Sequence, residues 1–154
     1  MEKIFCDIRK CLGCKSCEIA CGVEHSTSKN IFKSIREEKK PRQRVIVRST
    51  TKEPFPLRCH HCEEAPCIEA CMSGAMYKDE KGVTRHDPDK CVGCWMCIMV
   101  CPFGAISRQE SLALKCDLCP DREDSFACVE ACPTKALFAG TWDEFKKRLG
   151  QEKR

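Results

Sequence analysis

Sixteen of the seventeen cysteines in this chain of 154 residues fall into four quartets. They are Cys11, Cys14, Cys17 and Cys21; Cys59, Cys62, Cys67 and Cys71; Cys91, Cys94, Cys97 and Cys101; and Cys116, Cys119, Cys128 and Cys132. Each opens C-x2-C and closes C-x3-C, and only the middle gap varies, at two, four, two and eight residues. A chain this dense in thiols has to fold around its sulfur atoms, so its architecture turns on what they bind. In a short secreted chain the density would suggest a disulfide scaffold. Here the run Met1-Glu-Lys-Ile-Phe-Cys-Asp7 meets charge at once, without an apolar stretch, a small-residue cleavage site or a twin-arginine signal. No apolar run approaches the roughly 18 residues of a membrane span. The expectation is a cytoplasmic protein, where thiols stay reduced unless a metal takes them.

The spacing says which metal. Each iron of a cubane cluster needs one external thiolate. In C-x2-C-x2-C one short loop wraps three corners, with its backbone N–H groups pointing at the sulfurs. The next cysteine points away, toward a second cluster. A proline after that cysteine turns the chain, and Pro102 and Pro133 stand there. Cys91-Val-Gly-Cys94-Trp-Met-Cys97-Ile-Met-Val-Cys101-Pro102 satisfies the two-cluster pattern at every position. Zinc ribbons also use C-x2-C pairs, but as two pairs separated by a finger, without the repeated C-x3-C-P close. The sixteen quartet cysteines are therefore read as ligands of four [4Fe–4S] clusters.

That reading accounts for two features of the composition. Hydrophobic residues make up 42% of the chain, but without cysteine the share is about 31%, lean for a core of this size. Metal–ligand bonds would replace the missing burial, so the chain without iron should fold poorly. The formal net charge of +4 counts cysteine as neutral. Four clusters with their thiolates contribute about −8, which brings the loaded protein to roughly −4. The Lys/Arg surplus then compensates buried anions, and no nucleic-acid motif accompanies it.

Three segments repeat one supersecondary unit: Cys67-Ile-Glu-Ala-Cys71-Met-Ser-Gly-Ala75-Met76, Cys97-Ile-Met-Val-Cys101-Pro-Phe-Gly-Ala105-Ile106 and Cys128-Val-Glu-Ala-Cys132-Pro-Thr-Lys-Ala136-Leu137. The first quartet shares only its ligands and Ile19-Ala20. Each C-x3-C should occupy one helical turn, where i and i+4 share a face. Val45 and Val47 alternate with Arg44, Ile46 and Arg48, which predicts a strand. Met76–Lys78 and Val83–Arg85 read as a hairpin closed at Gly82. Thr141 with Glu144 forms a capping box, and Trp142, Phe145 and Leu149 give the last helix an apolar stripe that packs on the body. Residues 22–58 form an insertion whose charge run, Arg36–Lys40 followed by Pro41 and Arg42, reads as a solvated loop.

With all four quartets matching, the chain resembles the four-cluster ferredoxin-type subunits that accompany molybdenum and tungsten oxidoreductases, hydrogenases and carbon monoxide dehydrogenases. The likeness covers roughly residues 4–140. Gly22 and Met72 stand where that family has proline, and the loop between Cys119 and Cys128 is short for it. The resemblance implies an α+β polyferredoxin with two pseudo-symmetric, bacterial-ferredoxin-like halves of short hairpins and short helices around four cubane clusters. Half A would comprise residues 1–21 and 112–140, half B residues 59–111, and residues 141–154 a C-terminal helix and tail, all within one domain, 1–154. It also implies exchanged ligands. Cys59, Cys62, Cys67 and Cys101 would hold one cluster, and Cys91, Cys94, Cys97 and Cys71 its neighbour. Cys11, Cys14, Cys17 and Cys132 would pair with Cys116, Cys119, Cys128 and Cys21. Within the family, Cys11-Leu-Gly-Cys14-Lys-Ser-Cys17-Glu-Ile-Ala-Cys21-Gly-Val-Glu-His25-Ser26 and residues 67–76 look like the electron-transfer subunit of nickel carbon monoxide dehydrogenase. On that likeness the chain passes electrons from the dehydrogenase to a hydrogenase or a flavin NAD(P)H oxidoreductase, in an anaerobic setting, with no substrate site of its own. The iron–sulfur subunit of tungsten or molybdenum aldehyde or formate oxidoreductases is similar. A role in assembly or redox sensing would use the same clusters.

A few other residues stand out. Cys6 lies outside every quartet, in the strand-like Lys3-Ile-Phe-Cys6-Asp7, and reads as a small buried apolar residue. His60 and His61, between Cys59 and Cys62, read as hydrogen-bond donors that raise a cluster's potential and make it pH-sensitive. His25 and His86 have no partner pattern and read as surface or capping residues. Leu12, Gly13, Val92, Gly93, Trp95 and Met96 sit inside ligand loops and should exclude water. No Ser-His-Asp set, Gly-rich phosphate loop or carboxylate pair accompanies them.

Overall fold

The computed structural model describes residues 3–49, 53–122 and 125–151. The repeated unit seen in the sequence is also the repeated unit of the fold. In each copy a single helical turn, α3 (Pro66–Glu69), α4 (Met96–Met99) or α5 (Ala127–Glu130), carries the third cysteine of its quartet. The closing cysteine follows just beyond the helix. Three residues later the backbone turns left-handed, at Gly74 (φ +68°), Gly104 (φ +60°) and Lys135 (φ +54°). That turn feeds a strand: β4 (Met76–Lys78), β6 (Ser107–Gln109) or β8 (Leu137–Gly140). The first quartet departs from this plan. Gly22-Val-Glu24 continue the helix, so α1 (Ser16–Glu24) runs on until the N–H of His25 closes on the Cys21 carbonyl.

Each repeated strand takes an antiparallel partner. β4 pairs with β5 (Thr84–His86), β6 with β7 (Leu112–Leu114), and β8 with β1 (Lys3–Cys6), with Lys3 opposite Gly140 and Cys6 opposite Leu137. The β4–β5 hairpin turns where the sequence expects, but its second strand starts at Thr84 rather than Val83. The Asp79 carboxylate accepts from the Val83 N–H at 2.8 Å and holds Val83 in the turn. The β6–β7 hairpin spans the 111/112 position, so one strand lies on each side of the expected boundary between halves.

The insertion is more ordered than a solvated loop. It holds α2 (Ile31–Ser34), capped by the Asn30 side chain, and a ribbon of β2 (Val45–Ser49) with β3 (Pro54–Arg58). Pro54 and Pro56 disguise β3 in the sequence. A two-stranded ribbon has only edge strands, where a missing N–H is tolerated. The charge run itself is irregular and almost wholly exposed.

At the C-terminus α6 (Trp142–Gln151) starts on the expected capping box, with Thr141 N donating to Glu144 Oε2 at 2.7 Å and Glu144 N to Thr141 Oγ1 at 3.4 Å. Phe145 is buried and stacks on Phe5 at 5.1 Å, which docks the helix against β1 and β8. Trp142 stays half exposed beside Phe5, and Leu149 is half-buried.

The apolar core is small and largely sulfur. Among the described residues, nine of the 23 buried hydrophobic residues are cysteines, so burial alone leaves the interior poorly filled. One cluster gathers Ile4, Val45, Leu118 and Leu137 with cysteines of quartets one, two and four; the other gathers Met76, Ile106, Ala65 and Ala113 with Cys67 and Cys97. Helix α1 packs on α5 and α3 on α4, so the C-x3-C turns meet in two pairs.

Candidate metal centres

Every C-x2-C loop uses the same backbone trick. The residue before the second cysteine is left-handed in all four loops: Gly13 (φ +67°), His61 (φ +49°), Gly93 (φ +67°) and Leu118 (φ +59°). Glycine adopts this conformation freely. At Gly93 it is also required by space, since a Cβ would lie 2.6 Å from the Ser111 carbonyl oxygen. His61 and Leu118 hold it at a cost of about 1–2 kcal/mol each. Strain kept at two equivalent positions indicates that the loop conformation itself serves the site.

Two cavities are each walled by four cysteines that cross quartet lines. Cys59, Cys62, Cys67 and Cys101 wall one cavity together with the small side chains Ala65 and Ala105 and with Thr84 and Ile106. Cys91, Cys94, Cys97 and Cys71 wall a second, with Ala75, Ala113, Met76 and Trp95. Elsewhere, Cys21, Cys116 and Cys128 lie in one buried core cluster. Cys17 and Cys132 are buried in the same core cluster, with Cys6 and Cys11 packed against it. No disulfide joins any of the seventeen. Among the described residues no three His, Cys, Asp or Glu side chains converge on a point close enough for a single ion. The sulfurs stand around a space instead. A donor set of four thiols about a cavity lined by alanine suits a compact polynuclear group better than one tetrahedral ion.

Burial pushes the thiols of Cys97, Cys116, Cys119 and Cys128 up, and those of Cys17 and Cys67 to about 11. Burial thus favours the neutral form of these six thiols, and binding a metal there would displace protons. The closing cysteines Cys71 and Cys132 differ. Burial also raises them, but backbone N–H groups, of Met76 and Leu137 first among them, outweigh it and leave both below the ordinary thiol range. Met76 N lies 3.3 Å from Cys71 Sγ, and Arg44 N donates to Cys21 Sγ at 3.2 Å.

His61 is fully buried with neither ring nitrogen partnered, and burial, reinforced by Lys115 and Arg58, pushes its pKa down to about 3. Burial and these cations favour the neutral ring. His60 stacks on Phe103 with ring centroids 4.2 Å apart. His25, expected to be a surface or capping residue, does cap α1, and its side chain also links two groups. Its Nδ1 donates to the Cys21 carbonyl at 2.8 Å, and its Nε2 lies 3.1 Å from Asp117, which sits between Cys116 and Cys119. Arg44 pairs with the same carboxylate. Cys6 is half-buried in β1, and burial first, then Cys11, pushes its thiol up to about 12.

One signal in the sequence went unread. The residue before each quartet is basic: Lys10, Arg58, Lys90 and Lys115. Lys90 lies on the surface, whereas Arg58 and Lys115 are buried among the cysteines.

Residues 50–142 match the family model described as a 4Fe-4S dicluster domain. The protein YsaA of Escherichia coli (strain K12) is 43% identical over 140 residues, covering 87% of this chain and 86% of its own. The electron transport protein HydN of the same organism is 35% identical, covering 98% of this chain and 94% of its own. The thiosulfate reductase electron transfer subunit PhsB of Salmonella typhi is 34% identical, covering 95% of this chain and 80% of its own.

Proposed function

We propose that this chain, which belongs to the 4Fe-4S dicluster family of ferredoxin-type electron transport proteins, passes single electrons through four [4Fe–4S] clusters between a catalytic redox subunit and a second carrier. The observation that carries this reading is the pair of cavities walled by four cysteines each, three from one quartet and one from another. That crossing is what the C-x2-C-x2-C-x3-C pattern asks for when its last cysteine reaches a neighbouring cluster. The ligand sets are Cys59, Cys62, Cys67 and Cys101; Cys91, Cys94, Cys97 and Cys71; Cys116, Cys119, Cys128 and Cys21; and Cys11, Cys14, Cys17 and Cys132. When bound, each cluster supplies one-electron chemistry, and the polypeptide contributes position, insulation and docking surface.

Burial suggests an order along the file. The group of Cys21, Cys116, Cys119 and Cys128 is buried throughout, and it adjoins the group of Cys59 and Cys67 through Lys115. The exposed thiols, Cys14 and Cys94, belong to the two remaining groups. These two form the ends. Apolar side chains stand exposed at both, Leu12 beside Cys14, and Val92 and Met72 around the group of Cys94. Such surfaces suit transient docking of redox partners.

The likeness of residues 11–26 favours carbon monoxide dehydrogenase as donor, with a hydrogenase or flavin NAD(P)H oxidoreductase as acceptor. The PhsB relative, named for a reductase, favours a catalytic reductase subunit. A cytoplasmic setting keeps the thiols reduced until iron takes them, and among the described residues no helix is long and apolar enough to cross a membrane.

Anaerobically purified protein should carry about sixteen irons and as many acid-labile sulfides per chain. All of its clusters should be reversibly reduced by a low-potential donor. Far less iron, or clusters that accept no electrons, overturns the reading.

A further inference from the structure

Two cations lie where the protein is driest. Arg58 is 8% exposed and Lys115 only 3%. Among the described residues neither pairs with a carboxylate, and Arg58 Nε has no hydrogen-bond partner. A buried charge without a counter-charge is strongly unfavourable, so a folded protein keeps one only where an anion compensates it. What surrounds these two is cysteine. The thiols acting most strongly on Arg58 are those of Cys116 and Cys128, followed by Cys6 and Cys59. For Lys115 they are Cys59, Cys116 and Cys67. Lys115 Nζ donates to the Cys116 carbonyl at 2.8 Å and also to the carbonyl of Thr84, a residue that lines the cavity of Cys59 and Cys101. Cys59, Cys116 and Cys128 share one buried core cluster. The ammonium therefore bridges the two inner cysteine groups.

We propose that Lys115 and Arg58 form a shared pair of fixed positive charges between the two inner groups, and that each raises the reduction potential of both clusters held there. The inference rests on the proposed iron–sulfur occupancy. A reduced cluster carries one more negative charge than an oxidised one, so a nearby buried cation stabilises the reduced form more. Reduction adds one electron from an external donor and needs no proton. Lys90 occupies the equivalent sequence position at an outer group, but its side chain is 63% exposed and is screened by water and salt. Sequence position alone thus predicts equal effects for these lysines, whereas burial predicts unequal ones.

The test is an EPR-monitored redox titration of iron-loaded wild type and the K115M, K115R, R58Q and K90M variants. K115M should shift the reduction equilibria of two clusters at least tenfold toward the oxidised form, which is about 59 mV for one electron. R58Q should move the same two clusters in the same direction. K115R should stay within threefold of wild type, and K90M should move no cluster tenfold. A fully loaded K115M or R58Q with unchanged potentials overturns the inference, as does a shift confined to one cluster. If K115M fails to take up iron while K115R loads fully, the charge is needed to hold the inner clusters, which supports the inference. If both fail, the site requires lysine's shape, which overturns it. Wild type that lacks the iron–sulfur signals refutes the proposed function itself, a separate failure.

Discussion

Replacing Cys101 with alanine distinguishes exchanged ligands from self-contained quartets. Cys101 follows the loop of Cys91, Cys94 and Cys97 in the chain, yet it lines the cavity of Cys59, Cys62 and Cys67. The cavity of Cys91, Cys94 and Cys97 takes its fourth wall from Cys71. Loss of one half-buried sulfur costs about 1 kcal/mol in burial, small beside a domain stability of about 5–15 kcal/mol. Any large effect therefore reports the missing ligand. On the proposed occupancy one corner of the cluster at Cys59 would lose its thiolate, so between about one and about four of about sixteen irons should be lost. The three other groups keep every sulfur. EPR signals of anaerobic protein, assigned with C59A and C91A as references, provide the assay. C101A should match C59A, and its mirror C71A should match C91A. A C101A protein that loses the C91A signal instead refutes the exchange and the crossed cavities with it.

Other outcomes follow from single contacts. F145A removes the buried ring that docks α6 and should cost about 3–5 kcal/mol. A ten-residue helix is marginal alone, so hydrogen-exchange protection in 142–151 should vanish while iron content stays constant. G93A places a Cβ against the Ser111 carbonyl at φ +67°. It should selectively lose the signal assigned through C91A, and full loading would show that the loop tolerates another conformation. Glu24 accepts from Arg122 at 2.8 Å and from Lys29 at 3.1 Å. Burial raises its pKa, but these partners outweigh it and leave the carboxyl below its ordinary value. Its folded pKa is therefore the lower one, and its contribution is complete above the unfolded value and fades as pH falls through the folded one. E24Q should cost about 1–2 kcal/mol at neutral pH, measured as a urea midpoint, with the difference shrinking in acid. With its pKa raised to about 12, Cys6 should resist alkylation at pH 8 in loaded protein, and C6A should keep its full iron; rapid labelling would contradict this.

Much of the local architecture was legible because it depends on neighbours in the chain. The C-x3-C spacing placed four helical turns, Thr141 and Glu144 marked the start of α6, and Gly82 marked the β4–β5 turn. Strand β3 was missed because Pro54 and Pro56 argue against a strand unless its edge position is known. The link from His25 to Asp117 was missed because 92 residues separate the two in sequence. The lowered pKa of His61 was not legible because the ring is buried beside Lys115, which its own segment does not show.

By itself the sequence determined which residues can be ligands and how each loop presents them, since i to i+3 and i to i+4 geometry is a property of a single turn. The residues alone did not show which quartet's closing cysteine meets which trio; resemblance supplied that expectation. Nor did they separate Arg58 and Lys115, which are buried, from Lys90, which is solvated. Only the tertiary structure decides these points, because burial and the pairing of distant segments depend on how α1 packs on α5 and α3 on α4. The same basic residue before a cysteine is a screened surface charge in one place and an uncompensated cation in another.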